Sequence, residues 1–206
     1  MEEYNKYDTS VTDEEIKRGV RDEYGCVYST DGKRLLKGNK DLLSYTVRNG
    51  VEVICDEAFV FLNHIPHGDN MAVLQSITLP NSVKVIGDSA FEFCRTLQNV
   101  VLPESLKSIG SSAFWDCESL KHIHLPNSIL SIGENAFSFC KSLQSITLSE
   151  ALTYIGEDAF NQCDSLKSIQ YLGTIEQWES IKKDFEFKLD SISISCIDGF
   201  IGESDE

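Results

Sequence analysis

The chain has 206 residues, of which 41% are hydrophobic and 25% charged, enough apolar material for a packed core. Its formal net charge of −15 argues against nucleic acid, whose phosphates call for Lys and Arg clusters, and against docking on anionic membranes. No stretch approaches the roughly 18 apolar residues of a membrane span, and Met1 to Val20 is polar, with no apolar signal region.

In chain order, residues 1–23 form a polar segment with little to bury, which reads as mobile. Residues 24–41 read as a capping hairpin, with Val27-Tyr28 and Leu35-Leu36 flanking a Thr30-Asp31-Gly32 turn. Residues 42–172 repeat. Ile-Gly recurs at Ile86, Ile109, Ile132 and Ile155, each 23 residues after the last. Ala-Phe follows in every copy, at Phe91, Phe114, Phe137 and Phe160, and a cysteine three residues later, at Cys94, Cys117, Cys140 and Cys163. These positions are the expected structural core. A degenerate first copy runs from Leu42 through Ile54 to Phe59, with Cys55 where the others have Gly. Between Ile54 and Ile86 lie nine residues more than the 23-residue period, placed around Asn63 to Met71. Leu166, Ile169 and Tyr171 open a last, partial rung.

Each unit has a physical reading. Leu97 to Leu102 alternates and predicts a short strand, with Leu97, Val100 and Leu102 inward and Val101 outward. Pro80, Pro103 and Pro126 end that strand. Leu106 and Ile109 make a second apolar edge. Gly110 turns the chain with positive φ or a close backbone neighbour, and Ser111 to Cys117 reads as one helical turn. One rung cannot bury its own apolar face, so stacking stabilises the array. Residues 173–206 read as a C-terminal cap. Its helix starts at a Thr174/Gln177 capping box and has Ile175, Trp178 and Ile181 on its apolar face. A strand follows over residues 191–197, then an acidic tail.

The I-G-x-x-A-F-x-x-C-x-x-L core resembles the BspA-type, or treponemal-type, leucine-rich repeats of bacterial surface proteins. The flanking C-V-Y-S-T-D-G-K-R-L-L and G-T-I-E-Q-W-x-x-I segments resemble elements that border such arrays. The resemblance implies a right-handed leucine-rich-repeat solenoid, α/β or mostly β. A parallel sheet would form one face, short helical turns another, and caps both ends. It also implies proteins often found at the cell surface that engage host proteins, matrix proteins or other bacteria.

Little in the sequence points to catalysis. The glycines recur once per rung, a structural period and not a phosphate loop, and no nucleophile motif is present. The four-cysteine column reads as small buried hydrophobes, because stacked side chains run parallel and suit disulfide torsions poorly. The state of Cys26, Cys55 and Cys196 stays open. His64 and His67, with Asp69, read as a polar loop, and His122 and His124 as a solvent-facing strand; neither pair gathers a metal shell. No metal and no cofactor is therefore expected. Phe93, Trp115 and Phe139 lie outside the fixed core positions and either pack between rungs or form an apolar patch.

What remains is the outward face of the strands. One column is Thr78, Val101, His124, Thr147 and Gln170. A second is Gln75, Gln98, Lys121, Gln144 and Lys167, and a third Ser76, Asn99, His122, Ser145 and Ser168. This varied, acid-free face is the expected partner contact of a non-catalytic, protein-binding scaffold. A self-assembling element, with end rungs meeting between copies, is the alternative. An enzyme hidden in residues 1–41 and 174–206 is a further one.

Overall fold

Each 23-residue unit has too few inward apolar side chains to enclose a core, so the chain coils and each turn buries the face of the one before it. The computed structural model describes residues 7–61, 72–183 and 192–201. Every turn adds one short strand to each of two parallel walls. The front wall runs through Ser44–Thr46, Ser76–Thr78 and Asn99–Val101, then His122–His124, Ser145–Leu148, Ser168–Tyr171 and Ser193–Cys196. Its hydrogen-bonded ladder divides between Asn99–Val101 and His122–His124. The side wall runs through Arg34–Lys37, Val53–Ile54, Val85–Ile86, Ser108–Ile109, Ser131–Ile132, Tyr154–Ile155 and Lys182–Lys183, all paired in parallel.

The register follows the 23-residue period. Ile86 pairs with Ile109, Ile109 with Ile132, and Ile132 with Ile155. Ile54 pairs with Ile86 in the same register, and Tyr45 with Ile77. The extra residues of the first copy therefore leave the frame undisturbed on both sides; most of them, with His64, His67 and Asp69, lie outside the described residues. The second apolar edge, Leu106 and Ile109, leads into a true second sheet through Ser108–Ile109, which the apolar pattern alone reads only as an edge.

The middle of the coil is a column of phenylalanines. Phe59, Phe91, Phe114, Phe137 and Phe160 stack face to face with centroid separations of 5.1, 5.1, 5.3 and 5.6 Å. Ring planes tilt by 16° at most. The column joins one continuous core with the inward Ile, Leu and Val of both walls. Ile86, Ile109, Ile132 and Ile155 are buried, as are Cys94, Cys117, Cys140 and Cys163.

The third wall departs from the expected helical turn. Ser111 to Asp116 runs as consecutive turns, with Ser112 at φ 54° and Asp116 at φ 58°. The same two positions are left-handed in each regular rung: Ser89 and Phe93, Asn135 and Phe139, Asp158 and Gln162. Left-handed backbone costs a non-glycine residue roughly 1–2 kcal/mol. The compensation is a rung-to-rung ladder: Phe91 N donates to Ala113 O at 2.8 Å, Phe114 N to Ala136 O at 2.8 Å and Phe137 N to Ala159 O at 2.8 Å. With left-handed residues four apart, alternate N–H groups, those of Ser89, Phe91 and Phe93, point forward at the next rung. A helix would turn those bonds back into its own segment and leave the neighbouring rung unpaired.

Glycine at the start of this wall answers to a close approach, not to positive φ. A Cβ on Gly133 would lie 2.5 Å from Ser111 N and 2.6 Å from Gly110 C, and one on Gly156 would lie 2.3 Å from Glu134 N. The first rung can hold Cys55 there because its neighbour is the capping hairpin. That thiol is buried in a small side cluster with Val27, Leu36 and Val53.

The ends are capped as follows. Val27–Tyr28 pairs antiparallel with Arg34–Lys37, the first strand of the side wall. Residues 7–21, where composition suggested mobility, are tied down. Helix α1 (Asp13–Arg18) opens on a Thr12/Glu15 capping box, and Arg34 pairs with Glu15 at 2.7 Å. Thr9 O accepts from Asp56 N at 2.9 Å, and Tyr7, Val11 and Ile16 lie on the side cluster. At the far end, helix α2 (Ile175–Ser180) carries the Thr174/Gln177 capping box, and Trp178 is 4% exposed, packed edge-on to Tyr171 at 5.3 Å. Ser193–Cys196 continues the front wall, and Gly199–Ile201 turns back antiparallel on it.

Two substitutions test this packing by denaturant unfolding. Phe114→Ala should lower stability by roughly 3–5 kcal/mol, as for other buried aromatic truncations; a loss under about 1 kcal/mol would mean that the ring column is not the core. Gly133→Ala adds one methyl where there is no room and should cost about 1–3 kcal/mol.

Candidate interaction face

On the front wall, the two-residue alternation of short strands turns Val100, Ile123, Ile146 and Ile169 inward and their neighbours out. Parallel pairing then aligns the outward residues in columns. His122 lies beside Ser145, and that beside Ser168 and Ser193; His124 lies beside Thr147, then Gln170 and Ser195. Thr78 lies beside Val101. Gln98, Lys121, Gln144 and Lys167 precede their strands and are exposed, as are His122, His124 and Gln170. Val101 is an exposed apolar residue, 56% accessible, and Thr78 and Thr147 are half-buried. All ten residues thus share one face. Thr147 Oγ1 donates to Gln170 Oε1 at 3.3 Å; the ladder divides next to Val101 and His124.

The three columns hold two lysines, two histidines and no acid, on a chain with 33 Asp and Glu. Charges near the face are paired between rungs: Arg95 with Asp116 at 2.6 Å and Lys141 with Glu118 at 2.8 Å. The Lys141 ammonium beside Glu118 holds that carboxyl below its usual range.

The aromatic residues beyond the core are packed. Trp115 lies edge-to-face between Phe93 at 4.7 Å and Phe139 at 5.6 Å, and all three are half-buried. They brace the turn wall.

The cysteine column is a set of free, buried thiols. Cys117 Sγ donates to Phe91 O at 3.3 Å, Cys140 Sγ to Phe114 O at 3.2 Å and Cys163 Sγ to Phe137 O at 3.1 Å. Each thiol thus reaches a carbonyl of the preceding rung. Burial pushes Cys94 and Cys163 up to about 12 and Cys117 and Cys140 well above the ordinary thiol value. Cys26 and Cys55 are buried and pushed up to about 11 by the same cause.

Three further clusters were not legible in the sequence. Lys37 donates to Glu57 O and Val60 O, both at 2.8 Å, and lies over the Phe61 ring at 5.1 Å. It thereby closes the carbonyl end of the turn wall, and burial lowers its pKa. Behind the hairpin, Tyr45 Oη donates to Asp22 Oδ2 and meets Tyr28 Oη, with the Arg48 guanidinium 4.5 Å from the Tyr28 ring. The available signal was a tyrosine, Tyr45, where later rungs have Ile or Val. Finally, a shallow groove of about 240 Å³ crosses the side wall between Tyr7 and Thr9 on one bank and Tyr154 on the other, floored by Ser108, Ser131 and Gly133. It depends on where residues 7–9 pack, which composition does not encode. Among the described residues no group of three His, Cys, Asp or Glu could hold a metal ion, and no helix is long and apolar enough to cross a membrane.

The comparisons match this geometry. The family model of the BspA type leucine rich repeat region matches residues 69–183 in six copies. The chain belongs to that family. Among solved structures, it is similar to a leucine rich cell surface protein of Faecalibacterium prausnitzii. Identity is 31% and the TM-score 0.69, over 79% of this chain and 42% of that one. It is also similar to a leucine rich repeat protein of T. pallidum, with 26% identity and a TM-score of 0.59, over 76% of each chain. A leucine-rich repeat protein of Bacteroides ovatus is 28% identical, with a TM-score of 0.55, over 73% of this chain and 44% of that one. The chain thus spans less than half the length of the Faecalibacterium protein it matches. No curated protein matches the sequence.

The thiols give a direct check of burial. In the native protein at neutral pH, iodoacetamide should label Cys196, the half-buried cysteine, well before Cys94, Cys117, Cys140 or Cys163. Mass spectrometry showing a column thiol labelled as fast as Cys196 would contradict the packing.

Proposed function

We propose that this BspA-type repeat array is a non-catalytic scaffold that holds a protein partner on its front face, in an adhesive or surface-recognition role. The observation that carries the reading is the acid-free set of outward columns on a chain of net charge −15. The repeated positions are spent on the core, the turns and the glycine contacts. The front columns change from rung to rung between Gln, Lys, Asn, His, Val, Thr and Ser without an acid, and they lie side by side with two lysines and an exposed valine. Such a surface suits a partner that brings hydrogen-bonding groups and some negative charge. The description of the Faecalibacterium relative as a cell surface protein supports looking for that partner among matrix proteins and the surfaces of other cells.

The test is binding of the purified chain to immobilised matrix proteins and to whole cells, with and without Val101→Ala, Lys121→Ala and His124→Ala combined. The triple variant should lose most of its binding while its unfolding midpoint stays within the range of surface substitutions, about 0.5 kcal/mol per site. Binding equal to that of the parent chain would remove the face assignment.

A second reading, self-association through the end rung, is favoured by Ile197 and Phe200, which are 70% and 72% exposed beside the last front strand. Sedimentation at rising concentration separates the two: a chain that stays monomeric rejects self-assembly and leaves the binding face standing.

A further inference from the structure

The turn that joins Ser44–Thr46 to Val53–Ile54 contains Asn49-Gly50, and both residues are exposed. Gly50 sits at φ 92°, with nothing within 4 Å of where a Cβ would stand. The Asn49 side chain makes no hydrogen bond among the described residues. The backbone N–H of Gly50 donates to Ser82 Oγ of the next rung at 3.1 Å. A side-chain amide with no hydrogen-bond partner among the described residues thus precedes an unhindered backbone nitrogen that a single hydroxyl holds.

We propose that Asn49 is a site of spontaneous covalent rearrangement to aspartate and isoaspartate, and that the Ser82 hydroxyl slows it. In the first step Gly50 N bonds to Asn49 Cγ and the Cγ–Nδ2 bond breaks. Ammonia departs, taking up the proton that Gly50 N gives up, and a five-membered imide remains. Water then adds to one of the two imide carbonyls. Opening at Cγ leaves aspartate; opening at the main-chain carbonyl leaves isoaspartate, which routes the backbone through one extra methylene. No oxidant or cofactor is needed. The slow step requires Gly50 N to lose its proton and swing toward Cγ, and the bond to Ser82 Oγ opposes both.

The repeat supplies internal controls. Asn81 and Asn127 occupy the same place in later rungs but precede Ser82 and Ser128, whose side chains crowd the attacking nitrogen. Asn39 and Asn135 are held by their own hydrogen bonds, Asn39 Nδ2 to Tyr24 O at 2.8 Å and Asn135 Oδ1 from Ser138 Oγ at 3.1 Å. Asp31-Gly32 has the same open glycine, at φ 72°. Its Asp31 Oδ1, however, accepts from Ser29 Oγ at 2.6 Å and Lys33 N at 3.0 Å. These bonds keep it a carboxylate, which has no good leaving group. The rearrangement places a new negative charge beside Arg48 and, in the isoaspartate form, lengthens the turn that delivers Val53 and Ile54 to the side wall.

Peptide mapping of the whole chain after incubation in warm, mildly alkaline buffer tests this. The peptide carrying Asn49 should gain the mass of amide-to-acid exchange and split into two chromatographic products several-fold sooner than those carrying Asn81 or Asn127. Asn49→Gln should abolish the pair. Ser82→Ala should speed the conversion several-fold, whereas Ser82→Thr, which keeps the acceptor, should not; circular dichroism of both variants controls for folding. Conversion at Asn49 no faster than at Asn81 and Asn127 overturns the site. An unchanged rate in a folded Ser82→Ala chain overturns the role of the hydroxyl.

Discussion

Everything in this molecule answers to one spacing, the separation between successive turns of the coil. Main-chain hydrogen bonds fix it along the side and turn walls and on either side of the front-wall seam, and the stacked phenylalanine rings, 5.1 to 5.6 Å apart, match it inside. A spacing set by backbone leaves side chains little freedom where walls meet. That is why glycine recurs where one rung's backbone presses on the next, and a fully buried alanine precedes each phenylalanine. The thiols fit the same logic, being small enough for the corner and able to meet a carbonyl that the ladder leaves with a spare lone pair.

The period, the walls' inward positions and the register across the irregular first rung were legible because each recurs, and repetition turns a weak local pattern into a strong one. Legibility failed where conformation depends on a neighbouring rung. Ser111 to Cys117 has helix-like content, yet its N–H groups are claimed by the next turn, and two residues adopt left-handed backbone to satisfy them. Residues 7–21 look too polar to pack, but three apolar side chains, a capping box and the Arg34–Glu15 pair suffice to lay them over the side wall. Lys37 reads in sequence as one more surface lysine, and only the fold gives it two carbonyls to close.

For the front face, the sequence gives the columns and the structure gives their exposure and neighbours. Most of its residues are exposed, so the core constrains their identity less than that of the inward positions. The division of the front ladder next to Val101 and His124 lies within this surface. Outward columns on either side of that seam belong to separately bonded sheets, although the core beneath them is continuous.

Successive turns are bonded in both senses. Gly110 N, just past a side-wall strand, reaches back to Ile86 O of the preceding turn, while turn-wall amides reach forward, as Phe91 N does to Ala113 O. Every regular turn therefore offers its neighbours the same set of donors and acceptors. Such a chain can lose or gain a whole turn in its middle and leave each remaining junction bonded as before, so its reach can change in increments of one rung. The termini have no such licence: the lysine that closes one end has no counterpart within the stack, and an array of any length still needs its own distinct beginning.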